Sequence, residues 1–214
     1  MSAVIIVAYV TFYAAVHSWL ASQRVKDWAR RAFGPETDCW YRLAFNVVVS
    51  VQLVPLLVLL VWLPDRPLYT LPPPWGWLGF LGQVAALVGI GYGIWLTDAW
   101  HFLGLRQLID RTTDRCRRRC PPLVIFGLYR WARHPLYLLG LVFIWLTPQM
   151  TVNRLALFVA LSVYLYVGTF FEERRLIAEF GPAYQEYQRQ VPRLFPYRGR
   201  VDVTISRPAG DKGC

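Results

Sequence analysis

Long uncharged runs separated by basic intervals dominate the chain. Residues 1 to 23 carry no charged side chain and are rich in Val, Ile, Tyr and Ala. Such a run predicts a transmembrane helix, since a bilayer core takes about 20 apolar residues. A signal peptide would place its positive charges ahead of the apolar run, with a small-residue cleavage site behind it; here the charges follow. Gln23 to Trp40, interrupted at Phe33-Gly34-Pro35-Glu36, is expected to be a short interfacial or loop segment. A second span is predicted from Tyr41 to Leu63, uncharged after Arg42, with a kink at Pro55 that a membrane helix tolerates. The segment from Pro64 to Trp77 reads as a turn with interfacial aromatics, and a third span follows from Gly76 to Thr97. Asp98 to Arg133 is the longest polar interval. Leu136 to Thr147 is a short apolar run of about 20 Å at 1.5 Å per residue. Pro148 to Asn153 makes a tight turn, and Arg154 to Phe171 returns, so the last two runs predict a helical hairpin.

Composition narrows the class. The chain is 56% hydrophobic and only 17% charged, against about 25% charged in soluble domains, yet its net charge is +10. The basic residues sit in loops between uncharged runs, which argues against a nucleic-acid partner. Segments 24–42, 98–133 and 172–214 hold 21 of the 23 Lys and Arg residues, leaving Arg66 and Arg154 on the other side. By the positive-inside rule this predicts an all-α polytopic membrane protein of about five transmembrane helices. Its N-terminus is expected outside and its C-terminus in the cytoplasm. The arginine cluster from Arg115 to Arg119 suits anionic membrane lipids, at about 1 kcal/mol per residue near the surface. Cys39, Cys116, Cys120 and Cys214 all fall away from the outer face, so reduced thiols are expected. Cys116 and Cys120 match no standard zinc spacing. With only His17, His101 and His134 in the chain, no metal site is expected. Gly79, Gly82, Gly89, Gly91 and Gly93 lie in the third span without the strand that a dinucleotide fingerprint needs. They point instead to close helix packing.

Candidate chemistry gathers at one membrane face. The stretch Gly127 to Tyr137, GLYRWARHPLY, precedes the first arm of the hairpin, and Glu172 and Glu173 close the second. Antiparallel arms place Arg133, His134 and Pro135 beside those acids. Pro135 suits a first helical turn, whose free N–H groups favour an anionic group, while the acids suit an amine or a sulfonium. Two readings remain open: a site for a zwitterionic ligand, or an ordinary ion pair of Arg133 with Glu172 or Glu173. His17, an ionisable group within the first span, is a candidate for the substrate pocket or for helix packing. Gln107 either lines the site or caps a loop.

GLYRWARHPLY, the paired Glu172 and Glu173, and FGPAYQEYQRQVPRLFP through Pro196 resemble the C-terminal half of the isoprenylcysteine carboxyl methyltransferase and phospholipid methyltransferase superfamily. HSWLASQRVK from His17, HFLGLRQ from His101 and FIWLTPQMTVNRLAL in the hairpin are similar to bacterial methanethiol S-methyltransferases and NnrU-like membrane proteins. The resemblance implies an S-adenosyl-L-methionine-dependent methyltransferase of the bacterial inner membrane, with its active site at the cytoplasmic face. The implied acceptor is a small thiol or a lipid-like molecule such as a prenylcysteine carboxylate; a non-catalytic NnrU-like protein is the alternative. Tyr129, Arg133, His134, Tyr137, Glu172, Glu173 and Gln107 would bind the cofactor. His134, Arg106 and Glu173 would be catalytic, with Arg106 favouring a thiolate and His134 doing so or acting as base. Residues 1–97 would form scaffold and substrate entry, 98–197 the cofactor-binding catalytic region, and 198–214 a flexible tail. The superfamily's RHPxYxG has Leu139 at the glycine position here, with Gly140 following, so Leu139 is expected to crowd the cofactor or shift the register.

Overall fold

The computed structural model describes residues 1–97 and 123–202. Apolar runs without charge have no alternative in a membrane but to close their own backbone hydrogen bonds, and helices follow. Helix α1 spans Ser2–Ala21, α2 Gln23–Phe33, α3 Thr37–Trp62 and α4 Trp75–Leu96. After a short 3-10 helix, Gly127–Arg130, come α5 Pro135–Trp145, α6 Val152–Phe180 and α7 Pro182–Gln190. Four helices, α1, α3, α4 and α6, are long and apolar enough to cross a bilayer. Helix α5, with 11 residues, rises only about 16 Å.

The expected interfacial loop after α1 is largely helical. Ser22 accepts a hydrogen bond from Val25 N at 3.4 Å and caps α2, which buries Val25 and Ala29 and exposes Arg24, Arg30 and Arg31 while Lys26 is half-buried. Helices α1 and α3 run antiparallel: Tyr9 donates to the Gln52 carbonyl and Tyr41 to the Leu20 carbonyl, both at 2.6 Å. Ile6 and Val10 of α1 join Leu56 of α3 and Leu157 of α6 in one buried cluster.

The hairpin forms as expected, but each arm packs chiefly on another helix. Helix α5 lies along α4 and α6 along α1, with sparse contact between α5 and α6. The glycines of α4 make the first of these approaches. A Cβ at Gly93 would stand 2.5 Å from Leu136, one at Gly89 2.9 Å from Leu139, and one at Gly82 2.5 Å from Leu146. Gly91, by contrast, has no such neighbour among the described residues. Gln83 adds a hydrogen bond to the Phe143 carbonyl at 2.9 Å. Helix α5 therefore runs beside α4 from Gly93 to Gly82, about half of that helix's length.

Two short strands modify the all-α expectation. Strand β1, Pro67–Thr70, pairs antiparallel with β2, Gln149–Thr151, and latches the α3–α4 turn to the α5–α6 turn. Asp65 accepts from Asn153 N at 3.0 Å, and Asn153 Nδ2 donates to the Pro64 carbonyl at 3.2 Å. Cys39, at the start of α3, is disulfide-bonded, which departs from the reduced thiol expected from topology. Cys116, Cys120 and Cys214 lie outside the described residues.

Candidate active site

Helix α6 does not end at Phe171. Glu172 and Glu173 lie inside it, and two further turns carry Leu176, Ile177 and Phe180 onto Tyr184, Tyr187 and Val191. These apolar positions keep the helix going after it leaves the membrane. Gly181, at φ +55, breaks the chain into α7, a left-handed backbone that glycine adopts without steric cost. The segment after α7 then returns under the start of α5: Arg133 N donates to the Pro192 carbonyl at 2.9 Å and His134 N to that of Arg193 at 3.0 Å. The Tyr187 hydroxyl donates to the Tyr129 carbonyl at 2.7 Å. Residues of the expected flexible tail are docked as far as they are described, with Val201 N donating to the Arg130 carbonyl at 3.0 Å.

This clamp brings the predicted residues together and gives the two acids different environments. Glu173, 4% exposed, is surrounded by donors. Arg133 Nε reaches its Oε1 at 2.8 Å, and Gln188 Nε2 and Arg193 Nη2 reach its Oε2 at 3.0 and 2.9 Å. His134 Nε2 stands 3.3 Å from Oε1. Of the two possible ion pairs, Arg133 thus makes the one with Glu173, and its Nη1 also donates to the Gln188 and Val191 carbonyls. Glu172 is 43% exposed and meets His134 Nδ1 at 3.4 Å and the Tyr137 hydroxyl.

His134 lies between two carboxylates, one at each ring nitrogen, an arrangement that only an imidazolium can satisfy on both sides. Burial alone would lower its pKa, but the hydrogen bonds and charges of Glu172 and Glu173 outweigh it and hold the group above its ordinary value. The Tyr137 ring stacks on the imidazole with centroids 5.4 Å apart. Burial, with Glu172 adding to it, pushes the Tyr129 hydroxyl up to about 12, so Tyr129 stays neutral beside the acid. On the far side of Glu173, an open pocket of about 360 Å³ is lined by Arg133, Gln188, Arg193, Tyr197 and Arg198. Arg193 Nε is buried there without a hydrogen-bond partner among the described residues, and its guanidinium lies 3.9 Å over Phe170.

Sequence reasoning assigned no role to Gln188 or Arg193; both stand in the QEYQRQVPR stretch, whose likeness to the superfamily was the available signal. Arg106 and Gln107 lie outside the described residues. Leu139 does not crowd this site, because it packs against Gly89 of α4. His17 is remote from the acids along the sequence and pairs with Tyr164, Nδ1 to hydroxyl, at 2.7 Å. No cluster of three or more metal-ligating side chains occurs among the described residues.

No protein-family model and no solved structure matches the chain. Among curated proteins it is similar to a methanethiol S-methyltransferase of Pseudomonas sp. (strain GM41(2012)), 33% identical over 90% of this chain and 72% of that protein. Methanethiol S-methyltransferase 2 of Bradyrhizobium diazoefficiens is 35% identical over 94% of this chain and 77% of its own length. The Mycobacterium tuberculosis methanethiol S-methyltransferase is 33% identical over 88% and 75%. Likeness at this level, running through both the membrane helices and the Glu172–Glu173 site, places the chain in the methanethiol S-methyltransferase family.

Proposed function

We propose that the protein is an integral membrane methyltransferase that uses S-adenosyl-L-methionine to methylate a small thiol of the methanethiol class, at the cytoplasmic face of a bacterial inner membrane. The observation that carries the reading is the asymmetry of the acid pair. Glu173 is consumed by four donors, whereas Glu172 keeps an exposed carboxylate against His134 and Tyr137.

The residues present fit the donor's charges. A sulfonium or ammonium calls for a carboxylate, which Glu172 supplies. A carboxylate calls for a fixed cation, and Arg193 has a buried, unsatisfied Nε beside an open pocket. When bound, S-adenosyl-L-methionine supplies an electrophilic methyl carbon, which the acceptor sulfur takes as the methyl–sulfonium bond breaks.

The chain's own residues orient and polarise. Arg133 and Glu173 lock the start of α5 onto α6, so the Tyr137 and Glu172 side chains converge. With carboxylates at both ring nitrogens, His134 is a charged strut that positions Glu172; it has no lone pair free for a proton. Tyr129 adds a neutral hydroxyl, and Gln107 joins the cofactor set through the resemblance. Arg106 is the cation that would favour the thiolate, and His17 belongs to the acceptor side. The chain crosses the bilayer five times, α5 being the short crossing, with the site at the basic face.

Calorimetry of the detergent-solubilised protein with S-adenosyl-L-methionine, followed by a dimethyl sulfide assay with methanethiol, tests the reading. Binding with product formation supports it. Absence of donor binding would leave the non-catalytic NnrU-like reading, and transfer only to a prenylcysteine or lipid headgroup would reassign the acceptor.

A further inference from the structure

We propose that His17, oriented by Tyr164, takes the proton from the acceptor thiol where α1, α3 and α6 meet, on the membrane side of the Glu172–Tyr137 end. The proposal rests on the thiol methyltransferase reading above. With both His134 nitrogens facing carboxylates, His134 has no lone pair with which to take the thiol proton. A thiol is a far weaker nucleophile than its thiolate, and a free cysteine-like thiol ionises only near pH 8.5.

Three helices build the His17 environment. Its Nδ1 lies 2.7 Å from the Tyr164 hydroxyl of α6. Phe45 of α3 packs edge-on with centroids 5.0 Å apart, and Tyr13 of α1 lies at 6.0 Å. Tyr164 also hydrogen-bonds Ser18. In the tautomer whose Nδ1–H donates to Tyr164, the Tyr164 oxygen also accepting from Ser18, the Nε2 lone pair is left free. Nε2 has no hydrogen-bond partner among the described residues. The titratable groups facing His17 are Tyr13 from its own helix and Tyr164 from α6, while α3 presents Phe45. Lys26 of α2, Arg42 of α3, and Arg175 and Glu179 of α6 interact with one another as a separate group. The aromatic surround suits a small thioalkyl group, since sulfur packs favourably on ring edges.

Two glycines stand between this pair and the cofactor end. Gly168 stands one helical turn from both Tyr164 and Glu172, and a Cβ there would meet no atom of the described residues within 4 Å. Gly140, one turn beyond Tyr137 on α5, is equally open. Tyr164 and Tyr137 are within electrostatic reach of each other. The rise along α6 from Tyr164 to Glu172 is about 12 Å, enough for a small thiol between the imidazole and the Glu172–Tyr137 end. In the step itself the S–H bond breaks, its proton passes to Nε2 and its electron pair stays on sulfur. The imidazolium later releases that proton to water.

The test uses the full chain in detergent and starts with methanethiol turnover by the wild type; failure with every thiol would remove the underlying reading and this one with it. Given turnover, His17→Gln is expected to lower kcat by about 10²–10⁴-fold with donor affinity by calorimetry unchanged. The acidic limb of the pH–rate profile should vanish, because a protonated His17 cannot act as base. A selenol, already ionised at neutral pH, should be methylated by His17→Gln almost as fast as by the wild type. Tyr164→Phe should shift the acidic limb rather than abolish it. Independently of turnover, the His17 ¹³Cε1 resonance should move when ethanethiol is added without donor. A retained acidic limb, equal loss with thiol and selenol, or an unmoved resonance would overturn the proposal.

Discussion

Glu172 and Glu173 are neighbours in sequence with opposite environments. Glu173 neutralises Arg133 and Arg193 in a nearly dry setting, so removing its charge leaves buried cations unpaired, which costs about 3–5 kcal/mol. Glu173→Gln is therefore expected to drop the melting temperature in detergent sharply. Glu172→Gln should leave the melting temperature close to that of the wild type and abolish calorimetric binding of S-adenosyl-L-methionine. Equal destabilisation by both would contradict the division. His134 gives a pH signature. Because its pKa is raised in the fold, its stabilising contribution is fully present below about pH 6.5, the ordinary histidine value. The contribution is lost as pH rises through the higher folded value. The gap in melting temperature between wild type and His134→Gln should accordingly be widest in mild acid and narrow in alkali. At this scale the sequence was legible for the cluster but not for its wiring. The spacing of RHPLY and EE placed the groups together, whereas the choice of Arg133 partner depends on Gln188 and Arg193, which arrive from a segment that returns after α7.

Among the elements, the α4–α5 pair was the most readable. Glycines in an apolar span predicted close approach, and Leu136, Leu139 and Leu146 indeed fill the notches at Gly93, Gly89 and Gly82. Gly93→Ala should force α5 away and cost about 1–3 kcal/mol, the usual range for overpacking. Gly91→Ala, with no atom within 4 Å, should be neutral or stabilising by up to about 1 kcal/mol, from helix propensity. Thermal unfolding in detergent compares the two directly. Because Leu136 precedes Tyr137, Gly93→Ala should also weaken donor binding while Gly91→Ala does not. The β1–β2 latch and the Asp65–Asn153 contact were not legible. They join turns more than eighty residues apart, and neither short strand has a periodicity of its own. The length of α6 was misjudged for a related reason. The charges at Glu172–Arg175 look like a helix end, but Leu176, Ile177 and Phe180 supply a new apolar face for α7.

At the level of the whole molecule, charge asymmetry and packing point the same way. The latch of β1 and β2 lies at the end of the bundle where the α3–α4 and α5–α6 turns meet. The acid pair, α2 and α7 lie at the other, with nearly all of the described cations. Burying that basic end on the outer side would set most of the 21 basic residues against the positive-inside bias. A green fluorescent protein fused after Tyr197 should thus be fluorescent, and an alkaline phosphatase fused at the same point inactive. Alkaline phosphatase inserted between Pro64 and Pro74 should be active. This arrangement constrains the chemistry as well. On the proposed function, a soluble methyl donor and the released imidazolium proton would both need the cytoplasmic side, while the His17–Tyr164 pair lies among α1, α3 and α6. On the same proposal, a small membrane-permeant thiol would approach from within the bilayer and meet the donor at the boundary. Active phosphatase after Tyr197 would put the donor site on the side where no such cofactor supply is expected, and the methyltransferase reading would fall with the topology.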